Sequence, residues 1–245
     1  MANKMIKIIF LLVVICNYSC SQTIITKSQG VIRESMFSYD NKEKRFVKEP
    51  QVPSHLFWFL DNYVIQEVRG LSTKSLNGEI VSIDTSVTHY TFYDFANKRA
   101  FYYDTLGVNA KLLKEFYHPI DSLIDGWNFQ RTFPLLGREN LTAMPDTIIQ
   151  GHSLKRLQTR KRFISDSGTI EHVKIGYIRT DIKHSLFHLD KPLDDSLHST
   201  MVRMDFWVKP TNLAMSSSFE FLRNKLTKNE LSVFEAWIKR ARSGK

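Results

Sequence analysis

A chain of 245 residues with 42% hydrophobic and 12% aromatic side chains can bury a substantial core. That excludes global disorder and suits one all-β or α+β domain. With 34 Lys and Arg against 25 Asp and Glu the chain is basic, at +9, and its ten glycines are about half of average usage, so glycine-rich phosphate loops are scarce.

The first twenty residues read as a signal peptide rather than as part of the fold. Lys4 and Lys7 form a basic start, and residues 8–16 are an unbroken apolar run. Nine residues are too few to span a bilayer, which needs about 20, but they fit the apolar region of a secretory signal. Asn17-Tyr-Ser-Cys20 resembles a bacterial lipobox, with Asn17 where a Leu-like residue is usual; Ser19-Cys-Ser21 would instead suit ordinary cleavage before Gln22. The cysteine count favours lipidation of Cys20. Cys16 and Cys20 are the only cysteines, so the body has no disulfide framework, and Cys20 loses its neighbour if the leader is removed. A lipid on Cys20 would hold the chain on a membrane, with residues 21–30 as a polar tether and 31–245 as a single β-rich domain. The expected location is the cell envelope, at the outer membrane or in the periplasm of a Gram-negative bacterium. Loss of Lys4 and Lys7 leaves a formal charge of +7. In an exported protein that charge meets solvent or anionic head groups rather than nucleic acid.

Residues 31–39 suit a first strand, followed by a charged loop at 40–45 that Pro50 and Pro53 close. Residues 54–60 are dense and apolar, and periodicity alone does not separate helix from strand there. A meander follows: a strand at 63–71, a turn at Asn77-Gly78, a long strand at 80–95, a turn at Asn97-Lys98 and a strand at 99–104. Val81, Ile83 and Val87 alternate with Ser82, Asp84, Ser86 and Thr88, which predicts a half-buried sheet. From Tyr90 to Phe95 aromatic residues fall on both faces, so a helix or a ligand is expected on each. Asn109 could cap a short helix over 110–117, ended by Pro119. Residues 127–133 read as strand and 134–145 as loop.

The stretch 146–180 reads as a long hairpin about Ser165-Asp-Ser-Gly168, where Asp and Ser bond their own backbone and Gly permits positive φ. Residues 181–199 read as irregular. Residues 201–208 alternate cleanly, with Val202, Met204, Phe206 and Val208 on one face and Met201, Arg203, Asp205 and Trp207 on the other. The last element is a helix with a complete start: Thr227 as N-cap, Glu230 closing a capping box, and Leu226 and Leu231 as a hydrophobic staple. Leu231, Phe234, Ile238 and Ala241 then recur at helical spacing beside Trp237.

No stretch nominates a catalytic centre. There is no G-x-S-x-G turn and no thiol in the body. His184 and His188 have the i, i+4 spacing of a zinc pair, but Ser185 stands where a metalloprotease needs Glu, so a structural role is preferred. Asp190, Asp194 and Asp195 lack the spacing and central Gly of a calcium loop and read as a solvated acidic loop. No cofactor or metal is expected. Lys155, Arg156, Arg160, Lys161 and Arg162 concentrate positive charge on the long hairpin. Their plain role is to block edge-to-edge strand pairing; the functional alternative is binding of acidic lipid or glycan head groups. Tyr90, Phe92, Tyr93, Phe95, Phe101 and Tyr103 suit a core, and alternatively the wall of a pocket for an acyl chain or other apolar ligand.

Asp146-Thr-Ile-Ile-Gln-Gly151 followed by Lys155-Arg156, in an exported chain with a β meander, resembles the D-T-x-I-x-G-x-x-x-K segment of envelope proteins with the lipoprotein-carrier (LolA/LppX-like) fold. The resemblance spans roughly residues 60 to 210. It implies an incomplete barrel, a curved antiparallel sheet around helices with an apolar cavity. Those relatives often carry a Cys shortly after the Gly; here the residues are His152, Ser153 and Leu154, so any feature that needs that thiol is absent. The resulting expectation is α+β, a large curved antiparallel sheet with a few helices including a C-terminal one. The expected role is to bind a hydrophobic ligand or lipid in the concave face. The alternative is an assembly protein that uses the sheet as a surface for an envelope partner. A hydrolase is a third reading, with no residue to nominate.

Overall fold

The computed structural model of the chain describes residues 25–26, 29–49, 52–77, 79–117, 136, 140–165, 168–183, 186–211 and 213–243. The fold is α+β and is dominated by one open, curved antiparallel sheet of 12 strands. In chain order the strands are β1 (Ile25–Thr26), β2 (Gln29–Asp40), β3 (Arg45–Lys48), β4 (His55–Leu60), β5 (Tyr63–Leu76), β6 (Glu79–Asp94), β7 (Arg99–Tyr103), β8 (Leu112–Tyr117), β9 (Thr142–Ile149), β10 (His152–Ser165), β11 (Gly168–Arg179), β12 (Ile182–Lys183), β13 (Thr200–Lys209) and β14 (Leu213–Arg223). Two helices accompany them, α1 (Lys191–Leu197) and α2 (Lys228–Ser243). Across the sheet the order is β8-β7-β6-β5-β4-β2-β14-β13-β11-β10-β9, with β3 paired to the end of β2, while β1 and β12 form a separate parallel pair.

Short turns set most of this order. Asn77 and Lys98 take positive φ at the β5–β6 and β6–β7 connections, as Asn-Gly and Asn-Lys predict. Gln150 and Gly151 both have positive φ, at 50° and 76°, which is the backbone of a type I′ turn and joins β9 to β10. Of the hairpin expected over 146–180, the part from His152 on is present as β10 and β11, in register from Lys155 opposite Ile178 to Ser165 opposite Gly168, whereas its first arm is broken at Gln150-Gly151 and residues 142–149, read as loop and then hairpin, form β9.

Both faces of the central strands are covered, so neighbouring residues serve different cores. Val31, Trp58, Ile65, Phe92, Phe101 and Tyr103 pack beneath α2, against Val233, Phe234, Trp237 and Ala241. Ile32, Phe57, Phe59, Val64, Ile178, Met201 and Phe219 point the other way and pack with Leu136, Phe187 and Leu189. Two-sided burial explains the dense run at 55–60: it is a strand, β4, with partners on each side. Helix α2 begins as its capping box predicts. The Glu230 N–H donates to Thr227 Oγ1 at 3.3 Å, and the Thr227 N–H donates to Glu230 Oε2 at 2.7 Å.

Several expectations change. Residues 110–117 are not a helix: the Ala110 N–H closes a turn on Gly107 O, and β8 pairs with β7, because an open strand edge offers more hydrogen bonds than one capped turn. The 181–199 stretch contains α1, with Asp190 as N-cap and Pro192 in its first turn. Asp190 and Asp194 are therefore not a solvated loop; both are buried and accept backbone hydrogen bonds. Strand β14 had no signal in the periodicity. Val81 and Val87 are exposed rather than half-buried, because β5 and β6 run on past their neighbours as a free two-stranded ribbon. Strand β2 begins at Gln29, inside the stretch read as a tether. The signal peptide with Cys20, the strand expected at 127–133 and His184 lie outside the described residues.

Candidate functional site

Where β9 turns into β10 it approaches β2, β13 and β14 and leaves a cleft of about 430 Å³. Phe37, Ile149, Leu154, Val202, Phe219 and Phe221 give it apolar wall, and His152, Arg179, Arg203 and Glu220 give it charge or polarity. Leu154, Val202, Tyr177 and Ile182 form a small core of their own behind this wall, with Phe221 packed on it. A one-residue bulge in the β11–β13 register, between Tyr177 and Ile178, lies beside the wall. Bulges increase local twist and redirect side chains.

The two arginines are held by carboxylates. Arg203 Nε donates to Asp205 Oδ1 at 2.8 Å, and Tyr177 Oη donates to Asp205 Oδ2 at 2.7 Å. The Arg203 guanidinium also lies 5.2 Å from the centre of the Phe46 ring and 5.3 Å from that of Tyr177, so two π faces support its charge. Burial pushes the Tyr177 hydroxyl up to about 12, and the adjacent Asp205 charge adds to that. Tyr177 thus acts as a fixed donor. Arg179 Nε donates to Asp181 Oδ1 at 2.8 Å. That bond holds the Asp181 carboxyl below its ordinary value, against the opposing effect of burial. Apolar wall beside two oriented guanidinium groups suits an amphiphile: a chain against Phe and Leu, and an anionic or polar head at the arginines.

Two other clefts are lined mainly by polar residues. One, of about 480 Å³, is lined by residues including Arg33, Lys48, His55, Glu67 and Arg69. The other, of about 540 Å³, lies between Asp146, His152, Lys155 and Asp181. Among the described residues no group of three or more His, Cys, Asp or Glu could hold a metal ion. His188 makes a buried contact of 2.8 Å from Nδ1 to Asp194 Oδ2, and Asp194 Oδ1 accepts from the Met201 N–H at 2.7 Å. Burial pushes the Asp194 carboxyl up, while its bonds to His188 and Met201 pull it down. These contacts fasten α1 to β13, which is a structural task.

The aromatic residues singled out from sequence divide between the two faces. Phe92, Phe101 and Tyr103 are fully buried under α2, and Tyr90 packs at the edge of the same cluster. Tyr93 and Phe95 lie on the opposite side, stacked with ring centres 6.1 Å apart. The expected cover on the first face is thus a helix, which occupies the space a ligand would need there. The five basic residues do not form one patch. Arg156, Arg160 and Arg162 share one face of β10 by alternation, and Lys155 and Lys161 the other. Arg156 Nε is used by Pro145 O at 2.7 Å, and Lys155 lines the cleft with Asp146. Arg203 and Arg179 were not picked out as site residues. Arg203 is one face of an alternating strand and Arg179 ends the second arm of the hairpin; bringing them together across β13 and β11 needs the fold.

No protein-family model matches this chain, and no curated protein does. Among solved structures, LprF from Mycobacterium bovis is matched over 82% of this chain and 88% of that chain, with 9% sequence identity and a TM-score of 0.30. A likeness of that size is only a weak structural relationship and assigns no function.

Proposed function

We propose that the protein is exported and lipid-anchored through Cys20 in the cell envelope, and that it binds an amphiphilic ligand or lipid in the cleft between β2, β14, β13 and the β9–β10 turn. The observation that carries this reading is the pairing of an apolar wall, three of whose six residues are Phe, with Arg179 and Arg203 in a cleft of about 430 Å³. That volume lies within the usual range of small-molecule sites, roughly 300–1,000 Å³. Phe92, Phe101 and Tyr103 fix α2 on the sheet and lie outside this cleft. For them to touch ligand, α2 would have to move aside.

The test is mass spectrometry of an organic extract from residues 21–245 purified without detergent. That piece retains every described residue. A stoichiometric amphiphile that disappears in the Arg179→Gln/Arg203→Gln variant supports the reading. An empty extract, repeated with envelope lipids in excess, would overturn it.

A second reading is favoured by one observation. Among the described residues, the β5–β6 ribbon beyond Val68 pairs with no other strand, and Leu71, Leu76, Val81 and Val87 are exposed along it. An isolated two-stranded ribbon is marginal in water, so this one suits an assembly surface for an envelope protein. Loss of co-purifying partners on Val81→Asp, with the extracted amphiphile unchanged, would favour that reading.

A further inference from the structure

The free end of the β10–β11 hairpin carries apolar side chains in open solvent. Strand β9 pairs with β10 only from His152 to Gln158, and β13 pairs with β11 only from Glu171 onward. Residues 163–165 and 168–170 therefore project past the sheet. At that end Ile164 is 90% exposed and Phe163 is 39% exposed. Arg160, Lys161 and Arg162 adjoin them, all exposed. The Lys161 ammonium sits 5.2 Å from the centre of the Phe163 ring, and the His172 ring packs on Phe163 at 4.7 Å.

Charge says what this end would meet. The described residues of β10 and β11 contain seven Lys and Arg against one acid, Glu171; Asp166, between them in the sequence, adds a second. Arg162 reaches Glu171 at 3.4 Å, but its side chain is 75% exposed, so the pair is screened and weak. An apolar tip with a collar of cations is the pattern of a segment that enters the boundary between lipid head groups and acyl chains. The same Lys and Arg on an open strand edge oppose pairing with another strand, which argues against a peptide or a second copy as the occupant.

We propose that the free end of the β10–β11 hairpin docks on a bilayer containing anionic lipid, with Ile164 and Phe163 entering the interface and Arg160, Lys161 and Arg162 meeting the head groups. The proposal rests on the envelope reading above for its setting, but on none of the cleft residues. Each apolar side chain adds burial, and each cation adds attraction that salt screens. Neither alone would give firm binding; the two together orient a protein already held by its N-terminus.

Vesicle flotation tests it, using residues 21–245, which lack the N-terminal lipid. The vesicles are phosphatidylcholine alone, or phosphatidylcholine with phosphatidylglycerol. Binding is expected to the second kind and to weaken with salt. Replacing Arg160, Lys161 and Arg162 together by Gln should lower partitioning about 100-fold. Replacing Phe163 and Ile164 by Ser should lower it at least about tenfold. In an Ile164→Trp variant the indole emission should shift to shorter wavelength on anionic vesicles only. Unfolding midpoints of the variants, expected to match the parent at these exposed positions, guard against misfolding. Failure of the parent to bind anionic vesicles, or equal binding by the Gln variant, overturns the proposal. Ligand recovered in the organic extract without vesicle binding overturns the hairpin proposal alone; vesicle binding with an empty extract overturns only the cleft.

Discussion

Tyr103 and Trp237 stack face to face, with ring centres 3.9 Å apart and planes 13° from parallel. This contact joins β7 to α2. Phe92 meets the same indole edge-on at 5.9 Å, and Trp237 Nε1 donates to Gly107 O at 3.0 Å. Trp237→Ala should cost about 3–5 kcal/mol, the usual range for a buried aromatic. Trp237→Phe should cost less, through the lost bond to Gly107. Urea unfolding checks both. A loss under about 1 kcal/mol for the Ala variant would mean that α2 is not held by this stack.

Glu230 gives a pH signature. Burial alone would raise its pKa, but hydrogen bonds from Arg223, Thr227 and Trp58 outweigh that and bring it down to about 2 from an ordinary 4.5. A carboxylate depressed in the folded state contributes stability that is fully present above the ordinary value and is lost as pH falls from about 4.5 towards 2. Glu230→Gln should therefore be less stable at pH 7, by about 1–2 kcal/mol, and should lose less stability on acidification to pH 3. Chemical unfolding of parent and variant at both pH values decides it; parallel pH profiles would count against this role.

That helix start was legible because every residue in it is local: Thr227, Glu230, Leu226 and Leu231 lie within one turn and a half. The same holds for Asn77 and Lys98, which need only their own backbone. What was not legible depended on distant neighbours. Strand β14 includes Ser216, Ser217 and Ser218, which show no apolar alternation; Ser216 is buried because β13 and β2 flank it. Asp190 and Asp194 look like surface acids until Leu136, Met201 and His188 are brought to them. The candidate site was hidden for the same reason. Phe37, Leu154, Arg203 and Phe221 come from four strands, and no two are close in sequence.

Tyr177 and Asp205 make an alkaline counterpart. The hydroxyl is pushed up to about 12, mainly by burial and then by Asp205. An acid whose folded value is raised stays neutral in the fold while the unfolded chain ionises, so stability falls as pH rises from about 10 to about 12. Tyr177→Phe should reduce that fall. At pH 7 it should cost about 1–3 kcal/mol, because Asp205 is left buried with one donor fewer. Ultraviolet titration should show one tyrosine fewer ionising near the alkaline end. A loss near pH 10 instead would show that the hydroxyl is not held by Asp205.

Asp190 ties two segments with one carboxylate. Oδ1 accepts from the Leu193 N–H at 3.1 Å, as the cap of α1, and Oδ2 accepts from the Leu136 N–H at 3.0 Å. Asp190→Ala should cost about 2–4 kcal/mol, the sum of a lost cap and a buried donor without a partner. Asp190→Asn keeps one acceptor oxygen and should cost about half as much. Equal losses from the two variants, measured by thermal unfolding, would mean that charge rather than the paired bonds matters.

Strand β2 sits in the middle of the sheet between β4 and β14, with Glu34 opposite Phe219. Those partners are 185 residues apart in the chain. Synthesis at roughly 5–20 residues per second leaves about 10–40 s between the two. Throughout that interval the meander from β4 to β8 can pair locally, but β2 presents one open edge, with Val31 and Ile32 beside it. Such non-local closure is slow, and an open apolar edge invites aggregation. The nascent chain therefore needs that edge shielded until its last forty residues have emerged, and a truncation anywhere before Leu213 should yield insoluble protein rather than a smaller folded one.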